Sequence, residues 1–74
     1  MVHDIKMAVQ NAATKNQKIA MFHFQVLKHA KELEGMDAEA FCDEISVPAT
    51  YQTEFRKMIS LARLMDEMGV RLVG

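Results

Sequence analysis

The sequence predicts an all-α domain of four helices, and three observations carry the prediction. Apolar residues recur at three- and four-residue spacings over most of the chain. Gly35 and Pro48 punctuate the periodic stretches. Strand-prone sequence is confined to the terminal run Val70, Arg71, Leu72 and Val73. The chain has 74 residues, half hydrophobic and 26% charged, which is the composition of one small folded domain rather than a disordered segment.

The first helix is expected over residues 4 to 13, where Ile5, Ala8, Val9 and Ala12 form a thin apolar stripe and Asp4 sits near the positive end. So short a helix depends on partners for its stability. A second helix follows through Glu34. Thr14 with Gln17 has capping-box spacing and Asn16 is an alternative cap, and continuity with the first helix is a further option. Ile19, Phe22, Val26, Ala30 and Leu33 share its inner face, with Leu27 beside them, and Gly35 is suited to cap its end.

Met21 and Phe24 fall on the lysine-bearing side of this helix, and Leu64 and Met68 are similarly misplaced on the last one. Four outward apolar residues on the two longest helices predict a second apolar surface, which a homodimer would cover.

Asp37 is placed to cap a third helix from Ala38 to about Ile45. Phe41 and Ile45 lie four apart, Val47 plugs the corner, and Pro48 suits the first turn of a new helix while holding Val47 out of helical geometry. Ser46 takes the turn position, where a left-handed conformation costs serine more than glycine. The fourth helix runs through Met68. Tyr51, Phe55, Met58, Ala62 and Met65 are expected on its inner face, flanked by Ile59 and Leu61. Gln52, Thr53, Arg56, Lys57, Ser60 and Arg63 are expected on its outer face. After Gly69, the strand-prone residues have three fates open to them: packing on the helices, pairing with a partner's edge, or fraying. Phe22, Val26, Leu33, Phe41, Ile45, Val47, Tyr51, Phe55, Met58 and Ala62 should make most of the core.

The stretch FCDEISVPATYQTEFRK, Phe41 to Lys57, with small Cys42 beside Phe41, resembles small bacterial helix-turn-helix-like domains over about Ala38 to Leu61. The resemblance implies that helices three and four form a helix-turn-helix packed on the second. It also implies sequence-specific DNA binding. Gln52, Thr53 and Arg56 would reach base edges, and Thr50 and Lys57 would reach phosphates. With Cys42 aligned on the small residue of the pattern, Gln52 falls where an aliphatic is usual and Tyr51 takes the core role. A different class of reading keeps the shape without the DNA surface: a helical protein-interaction or homodimerisation module whose polar face is simply solvated.

A net charge of −1 hides segregation along the chain. Residues 1–31 hold five lysines against Asp4, residues 32–44 hold six acids and no base, and residues 45–74 hold four bases against three acids. The acidic third helix would lie near phosphates, which opposes DNA binding, while a dimer would double the cations available for it. His23 and His29 lie about 120° apart on the helical wheel and, with His3 and Cys42, show no metal-ligand spacing. Neither a glycine-rich phosphate loop nor a nucleophile–base spacing is present, and so small a helical domain has little room for a substrate pocket. No metal, cofactor or catalysis is therefore expected. The lone cysteine permits no internal disulfide, no apolar run approaches the roughly 20 residues of a membrane span, and Asp4 and Lys6 interrupt any leader. The expectation is a soluble cytoplasmic protein.

Overall fold

The computed structural model describes residues 1–72; Val73, the last of the strand-prone residues, lies outside that range. It contains five helices, α1 (Val2–Ala13), α2 (Lys18–Lys28), α3 (Ala30–Leu33), α4 (Ala38–Glu44) and α5 (Tyr51–Glu67), and no strand among the described residues. Five segments stand where four were expected because the second helix is interrupted. His29 has φ −107° and ψ 21°, well away from the helical ψ near −42°, and it separates α2 from α3. No glycine or proline marks this break in the sequence.

Three of the helices end in the same way. At α1, Gln17 N–H donates to Ala12 O and Asn16 N–H to Ala13 O; at α4, Val47 donates to Cys42 and Ser46 to Asp43; at α5, Val70 donates to Met65 and Gly69 to Asp66. Each is the paired closure of a Schellman motif around one left-handed residue: Asn16 (φ 57°), Ser46 (φ 62°) and Gly69 (φ 73°). Asn16 therefore ends α1 rather than capping α2, and the two helices are not continuous. Thr14 likewise does not cap α2; its hydroxyl donates back to Asn11 O at 2.8 Å, and Gln17 precedes the helix without a side-chain cap. After α3 the chain instead makes a type II turn. Glu34 sits at φ −61°, ψ 126°, Gly35 follows at φ 93°, and Met36 N–H donates to Leu33 O at 2.9 Å.

The expected cap of α4 is present, since Asp37 Oδ2 accepts from Ala40 N–H at 3.0 Å. Pro48 opens a tight turn before α5 rather than lying within it: Tyr51 N–H donates to Pro48 O and Gln52 N–H to Ala49 O. The corner is latched from the far end of the chain. Gln10 Nε2 on α1 donates to Ile45 O at 3.3 Å, next to the left-handed Ser46.

The core contains Phe22, Val26, Leu33, Phe41, Ile45, Val47 and Phe55, all buried as expected. Ile5, Val9, Ala12, Ala38, Cys42 and Ile59 join them, while Tyr51, Met58 and Ala62 are only half-buried. A row of rings crosses it: Tyr51 meets Phe22 nearly edge-on at 4.9 Å, Phe22 lies 6.2 Å from Phe41, and Phe41 lies 4.9 Å from Phe55. This row joins α2, α4 and α5.

Three expectations about facing fail. Ile19 is 41% exposed, because the wheel predicts its angle correctly but it lies in the first turn of α2. Met21 is half-buried and packs on the core, since α1 lies along α2 and widens its buried stripe. On α5 the buried stripe is rotated toward Ile59, leaving Leu61 exposed, because α4 packs along the Phe55 side.

Serine at a left-handed position carries a steric cost that glycine does not, offset in part by glycine's greater freedom in the unfolded chain. Ser46→Gly is therefore expected to stabilise the fold by about 0.5–1 kcal/mol, raising the thermal midpoint by roughly 2–8 °C. Gly35→Ala has open space for its methyl group but the wrong φ, and should lower the midpoint by a comparable amount. Thermal unfolding followed by circular dichroism checks both.

Candidate nucleic-acid interface

The first turns of α5 carry the residues singled out for DNA contact, and their exposure follows from the seating of Phe55 and Ile59 in the core. Thr50, Thr53, Arg56 and Lys57 are exposed, whereas Gln52 is half-buried on the flank turned toward the core. The structure thus brings four of the five onto the accessible surface. Thr50 has helical backbone angles and stands just ahead of α5.

Electrostatics divides the cations on this helix. Lys57 Nζ lies 3.3 Å from Glu54 Oε2, and Arg63 Nε donates to Glu34 Oε1 at 2.8 Å. Arg56 is in no ion pair among the described residues. It borders a hollow of about 340 Å³ between the α3–α4 connection and α5, beside Met36, Asp37 and Ser60. Glu39, Asp43 and Glu44 on neighbouring α4 are exposed.

Glu54 is a residue that the linear pattern did not single out. His23 Nε2, on α2, donates to its Oε1 at 2.8 Å while its other oxygen takes Lys57. An ionised carboxylate only accepts, so this contact places a proton on His23 Nε2. The His23 bond, and then the Lys57 bond, hold the Glu54 carboxyl below its ordinary range. One side chain thereby ties α2 to α5 and partly neutralises a cation of the candidate face. Its Lys57 partner, three residues away on the same helix, was visible in sequence; His23, 31 residues away, was not.

Other candidate chemistry is sparse. The Cys42 thiol is pushed up, by burial first and then by Asp43, against an opposing effect of Arg56, so it is held in the unreactive thiol form. Among the described residues, no three His, Cys, Asp or Glu side chains converge as a metal site would require. An open groove of about 520 Å³ runs between α2, α3 and the end of α5, with Phe24, Leu27 and Met65 along it and Lys28, Lys31 and Arg71 at its rim. No helix of the described residues is long and apolar enough to cross a membrane.

A short capped helix, a Schellman corner and a long helix with a polar, exposed start thus follow one another in the chain. The chain belongs to the family described as the HTH-like domain, whose model matches residues 1–68. The match is wider than the segment from Ala38 to Leu61 on which the resemblance rested; it takes in α1 and α2 as well. No curated protein and no solved structure gave a match.

A carboxyl whose folded pKa is depressed stabilises the fold above its unfolded pKa and loses that contribution as the pH falls through the folded value. Glu54→Gln should therefore lower the thermal midpoint at neutral pH. The two proteins should converge in acid, below the ordinary glutamate value of about 4.3. Thermal melts across pH 2 to 7, roughly the span of carboxylate titration, would show this convergence.

Proposed function

We propose that this chain is a small DNA-binding regulator or accessory factor, acting in the cytoplasm, in which α4 and α5 are the helix-turn-helix unit and the first turns of α5 enter the major groove. The observation that carries the reading is the joint exposure of Thr50, Thr53, Arg56 and Lys57 on a helix whose opposite side is anchored by Phe55 and Ile59. Thr53 and Arg56 take base edges, Thr50 and Lys57 take phosphates, and half-buried Gln52 serves only at the margin. Membership of the HTH-like domain family supports the same assignment.

Charge sets the strength of this binding. Arg56 is unpaired among the described residues, Lys57 is shared with Glu54, and α4 is acidic. Binding by a single copy is therefore weak and steeply salt-dependent. Self-association is a second element of the proposal, separate from the DNA contacts. Of the residues expected to drive it, Phe24, Leu64 and Met68 are exposed, at 45%, 50% and 67%, and Leu61 replaces half-buried Met21 among them. The interaction-module reading draws on exposed Phe24, Leu64 and Met68, with half-buried Met21 beside them, and on the exposed acids Glu39, Asp43 and Glu44 of α4.

Titration into mixed-sequence duplex DNA at low salt separates the two readings. Replacing Arg56 and Lys57 together by alanine should weaken binding at least about tenfold and flatten the salt dependence by roughly one phosphate contact, that of Lys57, with the thermal midpoint little changed. Glu54→Gln should act in the opposite direction, tightening binding by releasing Lys57 and removing a negative charge. Wild-type protein that binds no duplex at low salt would leave the interaction module as the reading.

A further inference from the structure

The outward ridge of α5 has a regular spacing of its own. Lys57, Leu61, Leu64 and Met68 follow one another at intervals of four, three and four residues, so the ridge reads with the same spacing from either end. All four side chains are exposed, and Leu61, Leu64 and Met68 are 38%, 50% and 67% accessible. Alternating threes and fours are the spacing of a seam between two helices.

A ridge that reads alike in both directions can meet a copy of itself running the opposite way about a twofold axis, with the same patch used on both sides. The axis would pass between Leu61 and Leu64. Each Leu61 then lies opposite the partner's Leu64, and each Lys57 opposite the partner's Met68.

Charge selects the antiparallel arrangement. Arg56 and Lys57 stand at one end of this stretch and Glu67 at the other, while Asp66 lies on the far side of the helix and lines the groove against α2 and α3. Antiparallel pairing sets the basic end beside the partner's acidic end, with the lysine stem lying over apolar surface while its ammonium reaches the carboxylate. Parallel pairing would set Lys57 against Lys57. We propose that two copies of this chain associate through an antiparallel α5 pair centred on Leu61 and Leu64, and that the paired form is the one that does not bind DNA.

The second half of this proposal rests on the DNA-binding reading above; the first half does not. Lys57 lies within the seam and Thr53 one further step along the same ridge, so pairing covers part of the face proposed to meet DNA. Two copies joined in this way do not double the cations available to a duplex. They withdraw them. A single pair of short helices also makes a small interface, so association is weak and varies with protein concentration.

Cross-linking tests the geometry directly. Leu61→Cys and Leu64→Cys are each made in the full chain, where Cys42, buried to 1% exposure, serves as the unreactive background. Under mild oxidation an equal mixture of the two variants should form covalent dimer at least tenfold faster than either variant alone. The purified dimer should bind mixed-sequence duplex at least tenfold more weakly than the same sample after reduction. Faster cross-linking of either single variant, or equal rates for all three samples, overturns the antiparallel pairing. A covalent dimer that binds duplex as well as the reduced chains do overturns the exclusion. If the reduced chains bind no duplex, the proposed function fails, while the cross-linking rates still decide the pairing.

Discussion

The row of four rings, Tyr51 on Phe22, Phe22 beside Phe41 and Phe41 on Phe55, sets the rotation of α5 about its own axis. Two of these contacts hold α5 from different sides, one through α2 and one through α4. A helix pinned at two points a turn apart has little freedom to roll, and aromatic packing has preferred geometry as well as area. With Phe55 and Ile59 turned inward, Thr53, Lys57, Leu61 and Leu64 are turned outward together. The face proposed for DNA and the ridge proposed for self-association are therefore consequences of one set of interior contacts.

Sequence reading succeeded where the signal was local. Asp37, the Phe41–Ile45 spacing and Ser46 each act within a few residues, and the left-handed serine corner is present as anticipated. Reading was weaker wherever a neighbour decided the outcome. The period of α5 defined how wide its apolar stripe is, but not that α4 would draw the stripe toward Ile59 and leave Leu61 outside. Met21 was placed outside because α1 could not be counted as a wall beside it. The break at His29 has no residue of special backbone preference to announce it, and the His23–Glu54 contact joins positions that no periodicity relates.

The candidate site shows the same division. Exposure of Thr50, Thr53, Arg56 and Lys57 followed from the amphipathic pattern, whereas the half-burial of Gln52 and the engagement of Lys57 by Glu54 depend on three-dimensional placement. Glu54 is central to this difference. It serves the interior by fastening α2 to α5 through His23, and in doing so it brings a negative charge beside Lys57 on the face proposed for DNA. Stability and affinity for anions are thus in tension at one carboxylate.

The hydrogen bond from Gln10 to the Ile45 carbonyl joins residues 35 positions apart, and it closes α1 onto the corner between α4 and α5. Ile5 and Val9, fully buried beneath the same helix, add the apolar part of that closure. The first helix and the corner are consequently expected to open as one unit in native-state amide exchange. Opening α1 would expose the core to water and unfasten the turn, so the amides around Ser46 and Val47 should exchange together with those of α1. That shared fate gives a physical reason for the family's likeness to extend over residues 1–68 instead of stopping at the two helices of the corner.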